Sequence, residues 1–158
     1  MTQKTDNENF KMYRVCRDTA PQTFEALAEL EKITVGEEGW SAESFRSAAE
    51  KDNGYVLCIF CEDCVAALLT GYYAIGEGDI TNVAVAPEHR RKGFAQMLIA
   101  EFERLLPDDA ENIFLEVRES NIPAIELYKK CGFEKISVRK NFYANPPENA
   151  IVMMKAEV

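Results

Sequence analysis

Three consecutive cations, Arg90, Arg91 and Lys92, precede Gly93, Phe94, Ala95 and Gln96 in a chain that is otherwise acidic. A basic, glycine-containing loop that runs into a helix suits phosphate, because the first N–H groups of a helix lack internal partners and its dipole favours an anion. Gly93 lets the backbone approach a ligand closely, and Ala95 leaves the helix start uncrowded. No Gly-Lys-Ser/Thr follows, so this is not a Walker A loop, and the three glycines of a dinucleotide fingerprint are missing. Taken alone, the loop reads equally well as a pyrophosphate cradle or a solvated basic turn.

His89 is the only histidine. That excludes a metal site with several histidine ligands and any Ser-His-Asp relay centred elsewhere, and His89 itself reads as a surface residue. Cys58, Cys61 and Cys64 have ligand-like spacing. Strand alternation puts Cys58 and Cys61 on opposite faces, and Cys16 and Cys131 are distant, so they read as buried strand cysteines with no metal. Five cysteines cannot all pair within the chain, and a cytoplasmic setting would keep them reduced.

The elements that must position these groups follow from periodicity. Lys11 to Arg17 alternates as a first strand. Pro21 opens a helix with Phe24, Leu27, Leu30 and Ile33 at helical spacing, and Ser41 caps a short second helix carrying Phe45 and Ala48. Tyr55–Cys61 and Val65–Ala74 flank the turn Glu62-Asp63, and Gly76 to Gly78 turn the chain into a strand over Asp79–Ala86. After the basic loop, Phe94, Leu98, Phe102 and Leu105 share one helical face. A buried strand over Ile113–Val117, a helix over Asn121–Lys130 ended by Gly132, and strands over Phe133–Arg139 and Ala150–Lys155 complete an α/β chain with a mixed sheet.

With 158 residues and 47% hydrophobic residues, the chain has material for one core. One domain over residues 10–158 is expected, after a disordered polar tail over residues 1–9. The longest apolar run, Tyr55–Cys61, is far below the roughly 18 residues of a membrane span, and Met1 to Asn9 has no signal-peptide core. A cytoplasmic protein without a membrane partner is the simplest expectation. The net charge of -9 is the wrong sign for nucleic acid and better suited to a basic partner.

The run Asn82-Val83-Ala84-Val85-Ala86-Pro87, followed by Arg90-x-x-Gly93-x-Ala95, closely resembles the acetyl-CoA-binding motif of the GNAT superfamily of N-acetyltransferases. Leu115-Glu116-Val117-Arg118 with Ser120-Asn121, Leu127-Tyr128 and Gly132-Phe133 resemble the rest of that signature. Together with Trp40-Ser41, Arg139 to Tyr143 and Glu148 to Met153, they resemble the bacterial RimI-type ribosomal-protein-alanine N-acetyltransferases. Where that family has Phe-x-x-Pro-Trp-Ser, this chain reads Glu37-Glu38-Gly39-Trp40-Ser41, and Phe142 replaces a usual tyrosine.

The resemblance implies a mixed, mostly antiparallel central sheet of about seven strands with flanking helices, and acetyl-CoA as co-substrate. It assigns the backbone of Val83, Ala84 and Val85 to the thioester and pantetheine, and Arg90, Arg91, Lys92, Gly93, Phe94, Ala95 and Gln96 to the pyrophosphate. Asn121 would also touch CoA, although its plain role is to cap its own helix. Glu116 would be the general base and Tyr128 the general acid, against bland roles as a solvent-facing glutamate and a core aromatic. Trp40, Ser41, Tyr143 and a loop over Asn141–Asn149 would border a peptide groove. The implied acceptor is the N-terminal alanine of small-subunit ribosomal protein number eighteen. A lysine or small-molecule amine, or non-catalytic acetyl-CoA binding, stands as the alternative.

Overall fold

The structure, a computed structural model, describes residues 9–158. The expected N-terminal tail lies outside the described residues, apart from Asn9. The elements are β1 (Phe10–Arg14), α1 (Pro21–Val35), α2 (Ala42–Glu50), β2 (Gly54–Cys61), β3 (Cys64–Ala74), β4 (Glu77–Val85), α3 (Phe94–Leu105), β5 (Asn112–Arg118), α4 (Ile122–Lys130), β6 (Glu134–Ala144) and β7 (Pro147–Ala156). One seven-stranded sheet runs in the order β1-β2-β3-β4-β5-β7-β6. Its neighbours are antiparallel except β4 and β5, in keeping with the expected mixed, mostly antiparallel class.

Helices cover both faces. On one, Leu98 and Phe102 of α3 and Ile125 of α4 pack with Leu57, Ile80, Ile113 and Met153. On the other, Phe24 and Leu27 of α1 and Phe45 of α2 pack with Val56, Cys58, Leu68 and Ala84. Because both faces of β2 are buried, its sequence reads as an unbroken apolar run. Cys58 and Cys61 do fall on opposite faces, but Cys64 is exposed, which corrects the expectation of three buried cysteines.

Several boundaries differ from those read in the sequence. Strand β1 stops at Arg14, short of Arg17. Ile33 is 59% exposed, whereas Glu31 is 2% exposed. At 3.6 residues per turn, Glu31 stands about 20° from Phe24 around the helix axis and Ile33 about 180° away. Gly78 lies inside β4, where a side chain would collide with Leu106 and crowd Ile113 and Phe102, so the turn ends earlier than expected. The expected loop over Asn141–Asn149 is instead a β-hairpin, with Ala144 paired to Pro147. Exposure on both faces of β6 beyond Arg139 removed the alternation that would have shown it. Among the described residues, no helix is long and apolar enough to cross a membrane.

Candidate active site

The parallel pairing of β4 with β5 is brief. It joins Glu77–Ile80 to Asn112–Leu115, after which β4 continues to Val85 and β5 to Arg118 without pairing. A register shift at Thr70/Gly71 leaves Thr81 as an extra residue in β4, and such a bulge adds twist that helps the strands part. Val83, Ala84 and Val85 therefore pair with β3 on one edge and have no strand on the other. Such an edge offers peptide N–H and C=O groups to a ligand.

A cleft of ≈ 990 Å³ begins at this opening. It is lined by Val83, Ala84, Val85, Arg90, Arg91, Gly93, Phe94, Ala95 and Gln96, and across from them by Asn121, Ala124, Leu127 and Tyr128. The start of α3 has no side-chain cap, and its first internal bond is from Met97 N–H to the Gly93 carbonyl at 3.0 Å. The N–H groups of Phe94, Ala95 and Gln96 are left for an external acceptor. Arg91 and Gly93 both take left-handed conformations, at φ +63° and +81°. A Cβ on Gly93 would meet only Gln96 Oε1, at 3.7 Å, so the space before the loop is open. Uncapped donors beside Arg90 and Arg91 fit a diphosphate.

Lys92 does not line the cleft; its Nζ lies 3.2 Å from His89 Nδ1. His89 does line it, as a partly exposed residue at the surface, where the sequence reading put it. Its position directly before the cationic run was the available signal. Asn121 caps α4 through its Oδ1, which accepts from Ala124 N–H at 3.3 Å, and also faces the cleft. Thr34 and Val35 at the end of α1, together with Pro123, Glu126 and Lys130 of α4, complete the lining that sequence reasoning missed. Ala124 was legible in principle, standing four residues before Tyr128 on the same face of a helix.

Tyr128 is 8% exposed. Burial, reinforced by Tyr143 and Cys131, pushes its phenol up to about 12. Glu116 lies between Leu115 and Val117, which are buried against α3 and α4, so its side chain points to the opposite face of the sheet. There its Oε1 pairs with Arg139 Nη1 at 3.2 Å. Tyr143 is half-buried beneath the Arg118 guanidinium, 4.2 Å from its ring centre. Burial raises its phenol, Arg118 opposes the shift, and the nearby Glu116 charge adds to it. Arg118 is fixed by Glu148 at 3.2 Å and by the carbonyls of Asn145 and Pro146.

Glu116, Tyr143, Trp40 and Ser41 are thus not in the cleft with the loop residues. Trp40 packs against Phe45, and Ser41 caps α2 by accepting from Ser44 N–H at 3.2 Å. Asn145 donates to Glu38 at 2.5 Å and joins the α1–α2 loop to the β6–β7 hairpin. Sequence reasoning also missed Asp79, whose carboxyl is pushed up to about 6 by burial and then by Glu116, against the Tyr72 hydrogen bond and Arg139. No group of three or more metal-ligating side chains occurs among the described residues.

The acetyltransferase (GNAT) family matches residues 14–133. The chain belongs to that family. GNAT enzymes transfer an acetyl group from acetyl-CoA, and this GNAT chain is an N-acetyltransferase. It is 33% identical over 116 residues to the putative ribosomal protein bS18-alanine N-acetyltransferase of Bacillus subtilis, covering 72% of this chain and 77% of that one. It is 42% identical over 83 residues to an N-alpha-acetyltransferase of Saccharolobus solfataricus, covering 51% of this chain. That match spans 49% of the archaeal relative, about half its length. The ribosomal-protein-S18-alanine N-acetyltransferase of Escherichia coli shares the GNAT fold, with a TM-score of 0.78, 24% identity and 94% of each chain covered.

Proposed function

We propose that this enzyme acetylates the α-amino group of a protein N-terminus in the cytoplasm, and that its acceptor is the N-terminal alanine of small-subunit ribosomal protein number eighteen. The observation that carries this reading is the placement of Glu116 and Tyr128 on opposite sides of the opening between β4 and β5. One side receives the acceptor and the other the donor. The names of the Bacillus and Saccharolobus relatives support an α-amine as acceptor.

Acetyl-CoA supplies the acyl group as a thioester. Arg90, Arg91 and the uncapped start of α3 bind its diphosphate, with Lys92 adding charge, while the open edge of Val83–Val85 aligns the chain that carries the acyl group. Glu116 takes the proton of the attacking amine, directly or through one water, with Arg139 fixing its carboxylate. Tyr128 hands its proton to the departing sulfur, and its burial keeps that proton in place at every working pH.

An α-amine with a pKa of about 7.7 to 8.0 is partly neutral at pH 7, whereas a lysine, near 10.4, costs about 3.4 kcal/mol more to neutralise. Trp40 and Ser41 on one side and Tyr143 on the other border the groove for the first residues of an extended peptide. Gly39 in place of proline extends acceptance to serine and other small first residues. Mass spectrometry on an alanine-initiated peptide, and on the same peptide N-terminally blocked with an added lysine, tests the reading. The free N-terminus is expected to react much faster. Equal or faster labelling of the blocked peptide would replace the α-amine reading with a lysine one.

A further inference from the structure

Glu31 occupies the centre of the buried face of α1, a position where an apolar residue is expected. Its neighbours are not cations: the Asn82 amide and the Trp40 backbone N–H favour its charged form, and burial outweighs both and raises its carboxyl above the usual range. Its Oε2 and Asn82 Nδ2 are both buried and outside hydrogen-bonding geometry, an unusual state for two complementary groups that face each other. Gly39 closes over the same side chain. A Cβ there would stand 2.6 Å from Glu31 Cγ, which gives the departure from the family's proline a physical reason.

Glu31 therefore touches two functional segments at once. Above it lies the loop that carries Trp40; beneath it, Asn82 directly precedes the open edge of Val83–Val85. We propose that Glu31 is a positioning residue for the acceptor: its carboxyl ties the loop over residues 36–40 to Asn82 of β4, so that seating the peptide against Trp40 also sets the acyl-binding strand. The carboxyl oxygens are acceptors, and the two groups that face them, the Asn82 amide and the Trp40 N–H, are donors. A glutamine keeps an acceptor oxygen there, with two lone pairs. A leucine has none.

This inference rests on the α-amine reading, so the kinetics use whichever amine mass spectrometry shows to be acetylated. Acceptor and acetyl-CoA concentrations are varied separately. Glu31→Leu is expected to raise the acceptor KM tenfold or more and leave the acetyl-CoA KM within twofold, while Glu31→Gln stays within twofold for both. Asn82→Leu should repeat the acceptor-selective rise, and the double variant should be no worse than either single one. An unchanged acceptor KM in Glu31→Leu, an equal rise in both KM values, or damage by glutamine equal to that by leucine overturns the proposal. Should Glu31→Leu fail to fold, the KM split in Asn82→Leu decides.

Discussion

Tyr128 and Phe133 close α4 on each other. The Phe133 N–H donates to the Tyr128 carbonyl at 3.0 Å, the Gly132 N–H donates to Lys129 at 3.0 Å, and the two rings meet edge to face with centres 6.1 Å apart. This is the paired bonding of a Schellman ending with its hydrophobic contact. The phenol proposed to act on the leaving group is therefore anchored at both backbone and ring by the residue just before β6.

Gly132 makes that closure possible at φ +96°. Gly132→Ala is expected to cost about 1 kcal/mol, because alanine resists this conformation. The cost appears as a fall in Tm of about 2–4 °C by calorimetry. It should be accompanied by a lower kcat, since the Tyr128 ring loses its stop.

Tyr128→Phe keeps the ring packing and removes only the proton, so turnover should fall about 10²-fold with acetyl-CoA affinity nearly unchanged. Glu116→Gln should lower kcat/KM for the peptide similarly and recover in part at high pH. In the wild type, the rate should rise through the α-amine pKa of about 7.7 to 8.0. Because the Tyr128 phenol titrates only at about 12, stopped assays up to about pH 10 should show no alkaline fall from this group.

Gly93→Val places a β-branched side chain at φ +81° and fills the space before the uncapped N–H groups. Acetyl-CoA binding measured calorimetrically should weaken tenfold or more in a variant whose circular dichroism still reports a folded chain. Gly93→Ala should lie between the two.

Asp79 holds its proton up to about pH 6 in the folded chain, against 3.8 for an unperturbed aspartate. Between those values the native state binds more protons than the unfolded one, so stability falls as pH rises through the window and the penalty is complete above it. Water reaches this half-buried group, which reduces the penalty to about 1 kcal/mol. Asp79→Asn should raise Tm by about 2–4 °C at pH 8 and change little at pH 4. Paired melting curves at the two values check the sign.

The elements around the cleft were legible because their signals are local. Asn121 caps and lines, Pro21 and Pro123 open helices, and the cations before Gly93 announce an anion site at a helix start. The acceptor side was harder to read, because it is assembled from long-range neighbours. Arg139 reaches Glu116 across the whole width of β7, and Asp79 meets Tyr72 through strand register. Periodicity also expects apolar residues on a buried face, which hid Glu31 and gave undue weight to Ile33. Beyond Arg139 the exposed β6 carries no alternation, so a hairpin passed for a loop.

The short seam between β4 and β5 has a mechanical consequence. Joined only over Glu77–Ile80 and Asn112–Leu115, the two parts of the sheet form a fork whose tines, held by β3 and by β7, do not pair with each other beyond the joint. From Ile80 to Val85 the tine is about 16 Å long, so a rotation of about 3° at the joint moves its tip by about 0.8 Å. A misplacement of about 1 Å at a reacting centre can cost about 10²-fold in rate. Gly78 and Ile113, paired at the joint and remote from the chemistry, therefore set the gauge of the slot.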